Sequence, residues 1–159
     1  MKRVPEERKQ ISAYTKVVVG TDGSESSYRA VDRAAQLAAD ASADLVIACA
    51  YVPADPRSVS QAADQLGDDA YQIRGDNPAE DIVRGARDRA QKAGATKIEA
   101  RTVKGAPVES LIKLADDMGA DLLVVGNKGL NSLTGRLLGS VPADAARRAT
   151  CDVLIVHTT

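Results

Sequence analysis

The sequence predicts an α/β fold, an open five-stranded parallel sheet with helices on both faces. Five short apolar runs alternate with helical segments, and this alternation is typical of a parallel sheet with right-handed crossovers. Aromatic residues make up only 3%, with no Trp and no Phe, so the core must be built from Ala, Val, Leu and Ile, which suits helices packed on such a sheet. With 159 residues, we expect a flexible extension over residues 1–14 and one domain over residues 15–159.

The first half of the domain is predicted to hold two strands with a helix between them. Residues 16–21 form a short β-branched run, and Asp22-Gly23-Ser24 breaks it. Residues 25–42 carry small apolar residues at spacings of three and four, which predicts a helix lying close to the sheet. Residues 44–52 form the second strand, which Pro53 ends. Residues 53–75 contain prolines and glycines and are read as a long loop, with room for one helical turn.

The second half repeats the alternation of helices and strands. Turn residues and caps bound each segment: Pro78 begins a helix that Gly94 stops, and Pro107 begins one that Gly119 ends. Alternating apolar and polar residues over 98–103 predict an edge strand with one wet face. The remaining predicted elements are a buried strand at 122–125, a helix at about 141–149 and a last strand at 152–157.

A glycine-rich stretch after the fourth strand is the strongest functional signal. The strand ends in a glycine turn, a loop carries two cations and no acid, and a helix with Pro142 in its first turn follows. Glycines let backbone N–H groups approach a ligand, and a helix N-terminus carries partial positive charge, so this stretch predicts a phosphate cradle. The members of the cradle are Val125, Gly126, Lys128, Gly129, Arg136, Gly139, Ser140 and Val141.

Two tight turns beside an ordinary helix cap are the alternative interpretation of this stretch. The position of the strands decides between them, because ligands of open parallel sheets bind outside the carboxyl ends of the strands, where the strand order reverses. If the first and fourth strands are central neighbours, Asp22 and Gly126 share that crevice. This placement favours the cradle.

Other nucleotide motifs are absent from the sequence. The Walker pattern G-x-x-x-x-G-K-[ST] does not occur, and the first strand is followed by Gly20-Thr21-Asp22-Gly23 rather than a dinucleotide fingerprint. A receiver domain would need an acid after the third strand, where Val103-Lys104-Gly105 stands. The turn at Thr21 to Ser24 is only a partial match to a flavodoxin-type loop.

Residues that could perform catalysis are few. The single histidine, His157, is read as an edge-strand residue near a subunit contact rather than as a general base. Ser24, Ser26 and Ser27 have no base beside them in sequence and are read as turn and cap residues. Asp22 has two interpretations that the residues leave open: it caps the first helix, or it faces the nucleoside end of a ligand, away from the phosphate.

Charge, cysteine content and hydropathy exclude several classes of partner. The net charge of −1 gives no global field to attract nucleic acid or acidic membranes, and no apolar stretch is long enough to cross a bilayer. Cys49 and Cys151 fall in predicted strands without metal-ligand spacing, so we expect buried thiols in a reducing compartment. No secretion signal is visible, and the expected location is the cytoplasm.

Three segments together resemble the universal stress protein family. Gly126-x2-Gly129-x9-Gly139-Ser140 is similar to the G-x2-G-x9-G-[ST] pattern of its nucleotide-binding branch. Val-Val-Val-Gly-Thr-Asp-Gly-Ser at the first strand and Cys-Asp-Val-Leu-Ile-Val at the last resemble the corresponding segments of the family. The resemblance covers residues 16–157. Asn127-Lys128 departs from the family, in which many members carry Ser or Thr with His or Arg.

The resemblance implies a strand order of 3-2-1-4-5 and an adenine nucleotide at the ends of the first and fourth strands. The phosphates would lie at the glycine loop and helix start, and the nucleoside beside Gly20, Thr21 and Asp22. The adenine would meet backbone near Ala50, Tyr51 and Val52. A homodimer is also implied, commonly through the last strand, which fits the apolar edge that Val153, Leu154, Ile155 and Val156 would otherwise expose.

The expected function is therefore a stress-response regulatory protein that binds ATP or cyclic AMP, with Mg²⁺ or Mn²⁺ possible beside ATP. Hydrolysis, if any, would be slow and incidental. Two alternatives stay open: a slow ATPase or nucleotidyl transferase on the same fold, and an interaction module that needs no ligand.

Overall fold

The structure is a computed structural model that describes residues 13–52, 78–128 and 140–159. Its strands form one five-stranded parallel sheet with the order β3-β2-β1-β4-β5, which confirms the order that the resemblance implied. The strands are β1 (Lys16–Gly20), β2 (Asp44–Tyr51), β3 (Ile98–Lys104), β4 (Leu122–Gly126) and β5 (Asp152–Val156).

Four helices connect the strands in the described residues. They are α1 (Glu25–Ala41), α2 (Pro78–Lys92), α3 (Pro107–Met118) and α4 (Ser140–Arg148). The C-caps of α1 and α3 adopt the left-handed conformation at Ser42 and Gly119. Gly119 was predicted to end its helix, whereas Ser42 was predicted to lie within α1. The long loop predicted over residues 53–75 lies outside the described residues.

β1 is the centre of the sheet. It pairs with β2 from Lys16↔Asp44 to Gly20↔Ala48, and with β4 over Val17 to Val19. The prediction that β1 and β4 are neighbours is therefore correct. Since the strand order reverses between β1 and β4, the crevice of this open sheet lies at their carboxyl ends.

Each face of the sheet has its own core. On one face α1 and α2 present mostly alanines, with Val31 the largest side chain of the α1 stripe, to the buried residues of β1, β2 and β4. On the other face α3 and α4 pack Leu111, Leu114 and Val141 against Val18 and Leu123. The small side chains of α1 bring that helix close to β1, as its apolar stripe predicted.

Strand ends differ from the predictions at a few positions. Cys151 precedes β5 rather than lying within it, and the exposed His157 follows it. Thr21 and Val52 likewise lie just beyond their strands. Both cysteines are free thiols; Cys49 is buried and Cys151 half-buried, and burial raises the pKa of each.

The amino-terminal edge of the sheet is held by two carboxylates. Asp121 accepts hydrogen bonds from the Thr15 N–H at 2.8 Å, the Thr15 hydroxyl at 2.9 Å and the Lys16 N–H at 3.0 Å. Asp152 accepts one from the Tyr14 hydroxyl at 2.9 Å. Tyr14, the last residue of the predicted extension, therefore bonds to the body of the fold.

Candidate functional site

A crevice opens at the carboxyl ends of β1 and β4, where the strand order reverses. It encloses about 320 Å³, including the part that is open to solvent. Its walls come from the ends of β1 and β4, from the amino end of α1 on one face of the sheet, and from α3 and α4 on the other face. The residues that line it are Gly20, Ser24, Ser26, Ser27, Leu111, Val125, Gly126 and Val141.

The turn after β1 is fixed by a buried pair of hydroxyls. The Thr21 side chain is fully buried, and its oxygen lies 2.8 Å from the Ser27 oxygen in the first turn of α1. The Thr21 oxygen also accepts from the Gly23 N–H at 3.1 Å, and the Ser27 oxygen accepts from the Asp22 N–H at 3.3 Å. Thr21 therefore lies behind the crevice wall and holds its shape.

Asp22 lies exposed at the rim of the crevice. Partial burial opposes its ionisation, but hydrogen bonds from Ser24 and Ser27 outweigh that effect, so its pKa is lowered. One of these bonds runs from the Ser24 N–H to the carboxylate at 2.9 Å. Asp22 thus stays ionised near neutral pH, and it braces the turn rather than capping the helix.

The N-cap of α1 is Ser24. Its side-chain oxygen accepts from the Ser27 N–H at 3.1 Å, and its backbone is extended, as an N-cap requires. The amino end of α1 therefore borders the crevice with the partial positive charge of the helix dipole. The prediction of a cap residue is confirmed for Ser24, whereas Ser26 and Ser27 lie in the first turn of α1.

The residue that follows β4 is hydrogen-bonded to the end of β5 and to the residues after it. The Asn127 N–H donates to the Val156 carbonyl at 2.9 Å, and the Asn127 side-chain oxygen accepts from both the N–H and the hydroxyl of Thr158. Thr158 is only 2% exposed, and its hydroxyl also contacts Ser26 of α1. Its carbonyl accepts from Arg29 at 2.5 Å. This network joins the end of β4 to the first turn of α1, where Ser26 lines the crevice.

β2 extends beyond the last residue of β1 that pairs with it. The Ala48 carbonyl accepts from the Thr21 N–H at 2.9 Å, whereas the Tyr51 carbonyl faces β3 and accepts from Gly105 at 2.8 Å. Because successive residues of a strand direct their backbone groups to opposite neighbours, Ala50 faces the side of β1. The pairing of β1 with β2 ends at Gly20↔Ala48, so the Ala50 N–H and C=O lie beyond the end of β1, and the Ala50 carbonyl accepts a long hydrogen bond from the Cys49 thiol at 3.8 Å.

Comparison with known proteins assigns the family of this fold. The sequence model of the "Universal stress protein family" matches residues 13–157. The chain belongs to the universal stress protein family. Universal stress protein Rv1636 of Mycobacterium tuberculosis is 57% identical over 149 residues, covering 94% of this chain and all of that protein.

Solved structures agree with this assignment. A crystal structure described as a universal stress protein in complex with cAMP is 55% identical, covers 93% of this chain and all of its own, and superposes with a TM-score of 0.72. The universal stress protein UspA from Lactobacillus plantarum is 21% identical, covers 90% of this chain and 97% of its own, and has a TM-score of 0.71. The second likeness supports the fold alone.

In this universal stress protein four of the predicted site residues line the crevice: Gly20, Val125, Gly126 and Val141. The others occupy different positions. Asp22 is on the rim, Thr21 is behind the wall, and Lys128 is exposed just past β4. Ala50 and Tyr51 are half-buried at the end of β2, and Val52 beyond them is 72% exposed. Ser140 begins α4. Gly129, Arg136 and Gly139 lie outside the described residues.

Sequence reasoning missed one residue that lines the crevice and a pair of residues that supports its lining. Leu111 lies within the helix predicted between Pro107 and Gly119, and Thr158 lies after the last predicted strand. Asn127 was noted only as a departure from the family pattern. No sequence signal identifies the Asn127–Thr158 pair, since the two residues are distant in the chain and meet only because β4 and β5 are parallel neighbours.

The charges near the crevice are sparse. None of its lining residues, as far as the structure describes them, is Lys or Arg. The described residues also contain no group of three or more His, Cys, Asp or Glu able to hold a metal ion. Among the helices with described bounds, none combines the length and apolarity needed to cross a membrane.

Proposed function

We propose that this universal stress protein binds an adenine nucleotide in the crevice between β1 and β4. The observation that carries the proposal is the crevice at the carboxyl ends of β1 and β4, together with the Ala50 backbone, which lies beyond the last paired residues of β1 and β2. The relative that is 55% identical and described as a complex with cAMP supports the same ligand class. Asp22, Ser24 and the α1 terminus then lie around the nucleoside and phosphate groups.

The adenine ring is assigned to the end of β2. A backbone N–H and C=O that face the same way match the ring nitrogen acceptor and amino donor of the adenine edge. Ala50 offers such a pair beyond the end of β1. The half-buried Tyr51 and exposed Val52 follow in the chain and supply apolar surface next to it. Guanine, which carries a carbonyl in place of the amino group, would face a C=O with another acceptor.

Among adenine nucleotides we assign cyclic AMP ahead of ATP. The described lining offers serine hydroxyls and backbone but no cationic side chain, and Lys128 is exposed outside it. A single phosphate charge can be met by backbone N–H groups and a helix terminus, whereas a triphosphate needs further cations. Mg²⁺ or Mn²⁺ would accordingly enter only together with ATP.

We extend the proposal to a regulatory rather than catalytic role in the stress response, in the cytoplasm. The protein would act as a homodimer joined through β5, the outer strand of the sheet, whose Val153, Leu154 and Ile155 are half-buried. Open apolar edges are commonly covered by a second copy of the same strand. The nucleotide would change the state of the dimer without being consumed.

Isothermal titration calorimetry tests the ligand. Cyclic AMP, AMP, ADP and ATP are titrated with and without Mg²⁺, and cyclic GMP serves as the matched control for the base. We expect the tightest binding for cyclic AMP and at least about tenfold weaker binding for cyclic GMP, the value of one mispaired hydrogen-bonding edge. Equal affinity for both cyclic nucleotides would reject the adenine assignment, and no binding of any would reject the function.

A turnover assay tests the absence of catalysis. Wild-type protein is incubated with ATP and Mg²⁺ or Mn²⁺, and phosphate, ADP and AMP are quantified over hours. We expect turnover slower than about one per minute, far below the typical range of enzymes. Faster turnover would support the ATPase or nucleotidyl transferase alternative.

A further inference from the structure

The hydrogen bonds around Thr158 can be assigned a direction, proton by proton. Its backbone N–H can only donate, and it lies 2.9 Å from the side chain of Asn127. The Asn127 atom it meets must therefore be the amide oxygen. The Thr158 hydroxyl lies 2.8 Å from that same oxygen. An amide oxygen carries no proton, so the hydroxyl proton of Thr158 points at Asn127.

This leaves only one arrangement for Ser26. Its oxygen lies 2.5 Å from the Thr158 oxygen, and one of the two hydroxyls must donate. Each hydroxyl has a single proton, and that of Thr158 is already committed. Ser26 therefore donates its proton to Thr158, and the Ser26 oxygen retains only lone pairs for any other partner.

Ser26 lines the crevice, so the direction of this bond sets the polarity of the wall. Ser24, on the same wall, differs: its oxygen accepts from the Ser27 N–H, and its proton remains available. Ser24 can donate to an anion, and Ser26 can only accept. A phosphate oxygen beside Ser26 would place two acceptors in contact, which costs free energy because neither is hydrogen-bonded.

We propose that Ser26, held as an acceptor by Thr158 and Asn127, recognises a ribose hydroxyl of the bound nucleotide. The inference rests on the proposed function and deepens it: the ligand is a ribonucleotide, and the α1 wall discriminates it from the deoxyribonucleotide. Thr158 acts through Ser26 and is a positioning residue. Sites built to pair with a substrate hydroxyl reject the analogue that lacks it, because the protein group is then left without a partner.

The test compares affinities within pairs of ligands. AMP is titrated against 2′-deoxy-AMP and 3′-deoxy-AMP, and cyclic AMP against 2′-deoxy-cyclic AMP. We expect wild-type protein to bind at least one deoxy analogue about tenfold more weakly than its parent, the effect of one hydrogen bond. In Ser26→Ala the ratio of the two dissociation constants, deoxy analogue to parent, should fall to about one. The ribose hydroxyl then has no Ser26 oxygen to bond, so removing it from the ligand costs nothing further.

Thr158 variants separate positioning from stability. Thr158→Val frees the Ser26 proton and should reduce the ratio, whereas Thr158→Ser keeps the hydroxyl and should restore it. Thr150→Val is the matched control, because it removes a hydroxyl bonded to Asp116, before β5 begins and thus at the opposite end of the sheet. A destabilised fold lowers the affinity for both members of a pair and leaves their ratio unchanged.

Each outcome decides the inference. Equal affinity of wild-type protein for ribose and deoxyribose ligands overturns it while the proposed function stands. A ratio that survives Ser26→Ala also overturns it. Binding of neither ligand overturns the proposed function and the inference together. A ratio lost in Ser26→Ala and Thr158→Val, and kept in Thr158→Ser and Thr150→Val, supports the inference.

Discussion

Gly20, the last residue of β1, lies so close to Leu111 of α3 that no side chain fits between them. A Cβ atom at Gly20 would lie 2.5 Å from Cδ1 of Leu111, well inside van der Waals contact. Leu111 is 1% exposed and packed among the residues of β4 and α4, so it cannot swing away freely. The glycine at the crevice therefore also sets the distance between α3 and the sheet.

Gly20→Ala should lower the free energy of unfolding by about 1–3 kcal/mol, the usual cost of overpacking. Urea unfolding of the purified protein measures it. Introducing Leu111→Val as well should make the Gly20→Ala change less costly, because the shorter side chain vacates part of the space. Equal cost in both backgrounds would show that Leu111 is not the residue that excludes a Cβ.

Gly126→Ala should weaken nucleotide binding without destabilising the protein. An added Cβ would lie 3.4 Å from the Thr158 methyl group, an ordinary contact, so the fold accepts it. The methyl group that the substitution adds nevertheless keeps the nucleotide from approaching the backbone of residue 126 closely. We therefore expect about a tenfold loss of affinity for cyclic AMP, the effect of one hydrogen bond.

The matched control for this change is Gly85→Ala on α2. Its added Cβ also lies 3.4 Å from the nearest side-chain atom, the Tyr28 hydroxyl oxygen, and Gly85 is not among the crevice residues. Calorimetry should find wild-type affinity for Gly85→Ala. Unchanged affinity in both variants would place the nucleotide elsewhere.

The carboxylate of Asp121 should make stability fall in acid. Partial burial opposes its ionisation, but the hydrogen bonds from Thr15 and Lys16 outweigh it, and the pKa lies below the usual value. A carboxylate whose pKa is lowered by folding stabilises the folded state at pH values above its pKa in the unfolded chain, which is about 3.9. That contribution is lost as pH falls through the lower folded pKa.

Urea unfolding measured between about pH 2 and pH 7 tests this dependence. Asp121→Asn should reduce stability at neutral pH by about 1–2 kcal/mol and flatten the decline in acid. Asp40→Asn, at an exposed position near the end of α1, is the control. The same acid profile in wild-type protein and Asp121→Asn would refute the assignment.

A charge on β5 should dissociate the proposed dimer. Val153→Lys places an ammonium group on the half-buried outer strand that is proposed to pair with its mate. Thr102→Lys on β3, the opposite edge, is the matched control, since Thr102 is also half-buried. Analytical ultracentrifugation should find a dimer for wild type and Thr102→Lys and a monomer for Val153→Lys. A wild-type monomer would contradict the proposal.

The sequence predicted the class of fold and its elements well, for a local reason. Each helix is marked by apolar residues at helical spacing and by caps such as Ser24 and Gly119, and these signals involve residues close together in the chain. The buried strands show as continuous apolar runs. Bounds differed by a residue or two where a strand ends in a turn, as at Thr21 and His157, because β-propensity continues past the last paired residue.

The site was predicted only in part. Gly126 was found because the glycine turn after the fourth strand is conspicuous in the sequence, and Gly20 came from the resemblance to the family. The sequence left the role of Asp22 open and did not show that the Thr21 side chain is buried, because both depend on which N–H groups the folded turn directs at them. The sequence could not show that Ser24 rather than Asp22 caps α1, since either residue suits an N-cap.

The sequence by itself determined an alternating α/β chain, a small-residue helix against the first strand and a glycine stretch after the fourth. Only the tertiary structure decided that Thr158 bonds to Asn127 and Ser26, and that Leu111 closes the crevice over Gly20. These contacts join residues far apart in the chain. They arise from the parallel pairing of β1, β4 and β5, which brings the carboxyl ends together, and no local pattern encodes such a meeting.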